Sequence, residues 1–449
     1  MNTPINDFLK QYAESGTMRL HMPGHKGRMP GSPLKEAARY DITEISGADS
    51  LFEAEGIIRQ SEENAAALYG SGMTLYSAGG STLCIQTMIA LLCRPGDTII
   101  AARNAHHSFL NACALLGVDV HWILPRYNDS FGVSGEVTAQ TVELALEQCP
   151  EAKGVYVTSP DYLGCMSDIE AIAGVCRKKG RPLLVDNAHG AHLRFVRQDS
   201  HPMTLGASMC SDSWHKTLPV LTGGACLHIS REFLAQTGWS REDVKGEMGL
   251  FASTSPSYLI LLSMDCCCRY LEEKGRPDFI RLEESAAALY AAAEKKGIFP
   301  ISKRYDSTKL TIDGYAVGMS GEELGEYFRK SGIECEYAAA RHVVLMLSPC
   351  NTDEELARLM QVMKRIPAGS PRNGDDAAFC LPEKVMPIRD AVFAERETVL
   401  TDRALGRIAA ESRIKCPPGV PVVIAGERIG PETQKLLKKS SIFSINVVK

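Results

Sequence analysis

The run SDSWHKTLPVLTGGACLHI, residues 211 to 229, sets a histidine and small residues against Lys216, then passes a glycine pair into an apolar, strand-like segment. A lysine amine is a useful nucleophile only when partly neutral, so burial or a nearby cation must lower its pKa from about 10.4. An amine presented in this way can hold an aldehyde as a Schiff base. Taken alone such a lysine is ordinarily a solvated surface charge, so its upstream company decides the reading.

About thirty residues earlier lies RPLLVDNAHGAHLRF (181 to 195), where Pro182 to Val185 read as a short buried strand that ends in Asp186. An acid at a strand's C-terminal end faces the ligand crevice of an open α/β sheet. There it suits the pyridine nitrogen of pyridoxal phosphate (PLP), whose protonated ring acts as an electron sink. The plainer alternative is an acid capping the next turn. Further upstream, LYSAGGSTLCIQTMIALL (75 to 92) places Gly80, Ser81 and Thr82 before an apolar run with helical spacing. A helix N-terminus with free N–H groups and two hydroxyls suits a phosphate, although Gly-Ser-Thr is also common as plain capping. Phosphate loop, ring acid and lysine occur in the order of a fold-type I PLP enzyme.

Across nearly its whole length the chain resembles the Orn/Lys/Arg decarboxylases of short bacterial type. The matching segments are HMPGHKG (21 to 27), DITEISGADSLFEAEG (41 to 56), ALYGSGMTLYSAGGST (67 to 82), RPGDTIIAARNAHHS (94 to 108) and VTSPDYLG (157 to 164). They continue through DNAHGAH (186 to 192), SWHKTLPVLTGGA (213 to 225), STSPSYLILLSMD (253 to 265) and CPPGVPVVIAGERI (416 to 429). The resemblance implies that Lys216 carries the cofactor and that Asp186 pairs with its ring nitrogen. Gly80, Ser81 and Thr82, with Ser213 and His215, would hold the phosphate. It further implies that His106 stacks on the ring, that His189 lies near it, and that Ser253, Thr254 and Ser255 reach the phosphate of a neighbouring subunit in a homodimer or higher homo-oligomer. The implied reaction is decarboxylation of arginine, lysine or ornithine to its amine, with Lys216 or a histidine returning the proton.

The departures bear on the substrate. The family usually carries an acid at Asn187, lysine at His107, threonine at Asp161, glycine at Cys84, histidine at Phe52, and proline at Ala54 and Ala425. Candidate acceptors for the substrate's distal cation are Asp49, Glu53, Asp161 and Glu427. Two competing readings remain open. One is a PLP-dependent aminotransferase or oxidase, for which Arg341 is the candidate carboxylate clamp. The other is a non-catalytic PLP-binding descendant, against which the joint presence of Lys216, Asp186, Ser81 and His106 argues.

Composition agrees. The 449 residues, 45% hydrophobic, suffice for large cores, and a net charge of −5 without a basic stripe argues against a nucleic-acid partner. The apolar runs are too short for a membrane span and the polar N-terminus lacks a signal-peptide core, so a cytoplasmic enzyme is expected. Fifteen cysteines without Cys-x-x-Cys spacing read as reduced buried thiols, and no metal is expected from the eleven histidines, His189 and His192 fitting the cofactor loop better.

The expected fold is α/β: an N-terminal arm (1 to 50) and a PLP-dependent transferase-like (aminotransferase fold type I) large domain with a mainly parallel sheet (51 to 285). A small α/β domain (286 to 366), a linker (367 to 376) and a C-terminal decarboxylase-like region (377 to 449) follow. TIIAA, GVYVTS, PLLVDN, GACLHIS, KLTID and HVVLMLS read as strands. GEELGEYFRKSG and the stretch after Thr352, an N-cap followed by three acids, read as helices.

Overall fold

A computed structural model describes residues 1–128, 133–298, 305–372, 381–415 and 420–449. The last four residues of the expected linker (373 to 376), the first residues of the C-terminal region (377 to 380) and the CPPG of CPPGVPVVIAGERI lie outside the described residues. The fold is the expected α/β arrangement, with mostly parallel strands at its centre. The chain forms two compact units, neither continuous in sequence. One comprises Met1–Leu91, Leu184–Glu284 and Ser348–Cys350, and the other Leu92–Leu183, Ser285–Leu347 and Asn351–Lys449. The stretch 51 to 285 therefore contributes to both.

In the first unit Met73–Ser77 runs antiparallel to Ala225–Ile229, which runs antiparallel to Met209–Asp212. Met209–Asp212 pairs parallel with Leu183–Asp186, Asp186 opposite Ser211. Every side chain of these four strands is buried. That is why PLLVDN and GACLHIS read as continuous apolar runs without alternation. The helix Gly80–Leu92 follows Met73–Ser77 through a tight turn, with Gly80 at φ +69° and Ser77 Oγ accepting the Gly79 N–H at 3.1 Å. A left-handed φ of this kind suits glycine.

In the second unit Thr98–Ala102 pairs parallel with both Asp119–Ile123 and Val155–Thr158. Lys309–Asp313, His342–Met346 and Tyr337–Ala339 make a separate antiparallel sheet. The helices Gly321–Lys330 and Asp353–Lys364 both start in capping boxes, from Ser320 and Thr352. Nearer the C-terminus Arg396–Leu400 pairs with Ser444–Val448, and Val423, Ile429, Leu437, Ile445 and Val447 form a core of their own. Among the described residues no helix is long and apolar enough to cross a membrane.

Thr352 Oγ1 accepts the Glu355 N–H at 3.2 Å while Glu355 accepts the Thr352 N–H. Thr352→Ala is expected to lower stability by about 1 kcal/mol, read from the urea midpoint at unchanged slope.

Candidate active site

The parallel pairing carries the C-terminal ends of Leu183–Asp186 and Met209–Asp212 to the same edge, and the Asn187 N–H continues the ladder to the Ser211 carbonyl at 3.0 Å. From one end leaves a turn, closed by the Gly190 N–H on the Asn187 carbonyl at 2.8 Å. From the other rises the short helix Trp214–Thr217. The turn holds Asp186, which is buried and accepts the Ala188 N–H at 3.2 Å, and His189, whose Nε2 lies 3.1 Å from Lys216 Nζ. The fold thus sets His189 against Lys216, with Asp186 at the start of the same turn as His189. Lys216 itself is exposed in the single chain, with its Nζ beside the His189 imidazole.

Ser213 Oγ donates to Ser81 Oγ at 2.8 Å, which joins the lysine segment to the start of helix Gly80–Leu92. The first-turn N–H groups of a helix lack partners within it. A Cβ on Gly80 would meet nothing within 4 Å, so space is open beside this turn. Two serine hydroxyls, a threonine hydroxyl, a lysine amine and a buried carboxylate are the donors and acceptors that a phosphate, an aldehyde and a pyridine nitrogen require, so this set fits PLP. His215 is partly turned away from that role: its Nδ1 donates to the Gly224 carbonyl at 2.9 Å. Thr82, Ser253 and Ser255 line one cavity of about 310 Å³ with Phe52, Gln86 and Phe251, while Thr254 is exposed beside it. In the second unit His106 caps the helix His107–Leu116, its Nδ1 accepting the Ser108 N–H at 3.2 Å. His107 is pushed below the usual histidine range by burial and then by the neighbouring His106 and Arg413.

Three of the four proposed distal-cation acceptors are already engaged. Asp49 receives the N–H groups of Ser50, Glu55, Gly56 and Ile58 at 2.8 to 3.0 Å and so caps the helix Ile57–Tyr69. Glu427 is buried and grips Arg103 through both oxygens, at 2.5 and 2.7 Å, with the Ile424 N–H at 2.7 Å. Asp161 is buried, and its Oδ1 accepts the Leu163 and Cys165 N–H groups at 3.0 and 2.8 Å. Burial pushes its carboxyl up to about 6 despite those bonds and the Lys309 charge. Glu53 is exposed. Arg341, the clamp considered for an aminotransferase, is committed to Asp313 through two hydrogen bonds at 2.9 and 2.7 Å.

The sequence reading missed one buried cluster. Asp212 receives His201 Nε2 at 2.9 Å and Asn187 Nδ2 at 2.7 Å, and His228 Nε2 lies 3.2 Å from the same oxygen as His201, outside hydrogen-bond geometry. Burial alone would raise this carboxyl, but the two histidines outweigh it and hold it well below the usual range. His201, Cys210 and Asp212 are close enough to suggest a metal. Within that group His201 Nε2 and Cys210 Sγ are already hydrogen-bonded to Asp212, at 2.9 and 3.8 Å. The only sequence signal was an acid at the end of an otherwise apolar strand.

A lysine, a ring acid and a hydroxyl-lined helix start on the edge of an α/β sheet define a PLP-dependent enzyme of fold type I. Residues 3–288 match the model of the Orn/Lys/Arg decarboxylase major domain and residues 377–441 that of its C-terminal domain. Arginine decarboxylase of Bacillus subtilis is 30% identical over 98% of this chain and 93% of its own length. That of Halalkalibacterium halodurans is 30% identical over 95% and 91%. The crystal structure of lysine decarboxylase LdcF from Francisella novicida superposes with a TM-score of 0.81 at 15% identity, covering all of this chain and 81% of the other. The chain belongs to the Orn/Lys/Arg decarboxylase family, and its cofactor is PLP.

Removing one partner of a buried bidentate pair strands the other charge, so Glu427→Ala is expected to cost about 3 to 5 kcal/mol, measured by denaturant unfolding. Asp161 has the opposite pH signature from a salt-bridged acid. Its folded pKa lies above the unfolded value, so its favourable contribution is complete below about pH 4 and is lost as pH rises through about 6. Asp161→Asn should remove this part of the stability loss between pH 4 and 7, and unfolding curves at both pH values test it.

Proposed function

We propose that this chain decarboxylates a basic amino acid, arginine first, with the cofactor held at Lys216. The observation that carries the reading is the 3.1 Å contact between Lys216 Nζ and His189 Nε2 beside buried Asp186, with Ser213 tied to Ser81 at the adjoining helix start. The near-full-length match to two Bacillus-type arginine decarboxylases supports both the reaction and the substrate.

When bound, PLP supplies an electron sink for the charge left on the substrate's α-carbon as CO2 departs. The residues do the rest. Ser81, Thr82 and Ser213 bind the phosphate, assisted by the positive end of the helix. Asp186, buried at the end of its strand, would hold a proton on the ring nitrogen, a hydrogen bond that burial strengthens. Lys216 Nζ would carry the proton that returns to the α-carbon, with His189 Nε2 3.1 Å from it to hold the amine in place. We assign Glu53 to the substrate's distal cation: it is exposed, and its neighbour Phe52 lines the cavity shared with Thr82 and Ser255.

We further assign the enzyme to the cytoplasm as a homodimer or higher homo-oligomer. Thirteen described cysteines carry thiols rather than disulfides, which suits a reducing compartment. Met18, Leu20 and Met22 of the N-terminal arm are 78%, 84% and 68% exposed, apolar surface that a second copy would cover.

The direct test is mass spectrometry of products after incubating the PLP-loaded protein with arginine, lysine, ornithine and neutral amino acids. Agmatine is the expected product; a keto acid instead of an amine would overturn the reading. Lys216→Ala is expected to abolish turnover. Glu53→Gln should raise KM for arginine about 10-fold or more, with little change for a neutral amino acid.

A further inference from the structure

Asp212 is fully buried at the end of its strand, one residue from Ser213 and four from Lys216. An ionised carboxylate in that position is tolerated only when donors surround it. The donors can be assigned. His201 Nδ1 accepts the Met203 N–H at 3.2 Å, so the proton of this neutral imidazole sits on Nε2 and points at Asp212 Oδ2, 2.9 Å away. His228 Nδ1 lies 2.8 Å from Thr74 Oγ1, itself 2.8 Å from Ser71 Oγ, and this hydroxyl chain holds the ring with Nε2 3.2 Å from the same carboxylate oxygen, close to it but outside hydrogen-bond geometry. Asp212 Oδ1 then accepts Asn187 Nδ2, with Cys210 Sγ at 3.8 Å. A metal here would compete for the His201 nitrogen that already faces Asp212.

The framework around this carboxylate is rigid. Tyr69 packs its ring against His201, His228 and Trp214, at centroid distances of 4.9, 4.6 and 5.6 Å. Its hydroxyl donates to the Ala191 carbonyl at 2.9 Å. The loop after Asp186 is therefore pinned at both ends: Asn187 by Asp212, and Ala191 by Tyr69. Between the pins sits His189, and Trp214 is the first residue of the short helix that carries Lys216.

We propose that Asp212 is a positioning residue: through Asn187 it fixes the 187–191 loop against the Lys216 helix and so sets the His189–Lys216 contact. The inference uses the site identified under the proposed function, but its geometry and its test do not need the cofactor. A merely structural Asp212 would affect stability and leave the amine of Lys216 unchanged.

The experiment is pH-dependent competitive amine labelling of the full chain without cofactor, with the Lys216 peptide quantified by mass spectrometry. In the wild type the His189 acceptor stabilises protonated Lys216. Asn187→Ala leaves the Asp212 charge in place and removes only the link, so the midpoint of Lys216 labelling should fall by roughly half a pH unit while other lysines keep theirs. Asp212→Asn should move it in the same direction. The exchange Asn187→Asp with Asp212→Asn restores a carboxylate–amide pair in reverse and should recover part of the shift. A wild-type midpoint in folded Asn187→Ala overturns the proposal, as does a shift shared by all lysines. Borohydride reduction of the PLP-loaded wild type, followed by peptide mapping, judges the functional reading separately. Cofactor found on another residue would overturn that reading and leave the labelling result standing.

Discussion

The parallel pairing of Leu183–Asp186 with Met209–Asp212 is the contact on which the site depends. It places Asp186 opposite Ser211, so the two chain segments leave the sheet side by side, one as the turn bearing His189 and the other as the helix bearing Lys216. A shift of one residue in this register would reverse every side chain of one strand between the two faces. Both faces are buried, so the apolar residues would tolerate such a slip poorly, and the polar ones less still. Asp212 would lose Asn187 and the histidines at once, leaving a charge in the core. Chemistry and register are held by the same few contacts.

The carboxylates of this chain differ sharply in what they can do, and the difference lies in the donors that reach them. Asp49 is saturated by backbone N–H groups at a helix start, and Glu427 by a guanidinium. Neither retains the capacity to meet a substrate cation. Asp161 has backbone donors on one oxygen and remains buried, so its proton affinity rises. Asp212 has donors on both oxygens and its proton affinity falls. Similar burial gives opposite results because the number and charge of the donors differ.

This also separates what could be read in the sequence from what could not. The strands around PLLVDN and GACLHIS, the helix after Gly80 and the cap at Thr352 were legible because each depends on residues adjacent in the chain. The neighbourhood of Asp186, His189 and Lys216 was legible because the two segments occupy neighbouring strands of a recognisable order. The roles of Asp49 and Glu427 were not, since an acid's fate depends on which donors the tertiary fold delivers. Nor was the Asp212 cluster, which gathers His201, His228 and Asn187 from separate elements. Each of those histidines alone reads as an ordinary core residue.

The Arg103–Glu427 pair has a further consequence for how the chain comes into being. Arg103 leaves the ribosome 324 residues ahead of its counter-ion. At elongation rates of about 5 to 20 residues per second that interval is on the order of 15 to 65 seconds. Throughout it the guanidinium destined for the interior has no carboxylate to meet, and the strand just before it cannot bury that end without stranding a charge. The second unit therefore cannot complete its buried ion pair until Glu427 has been made, and a chain interrupted before that residue would carry an unmatched cation at Arg103.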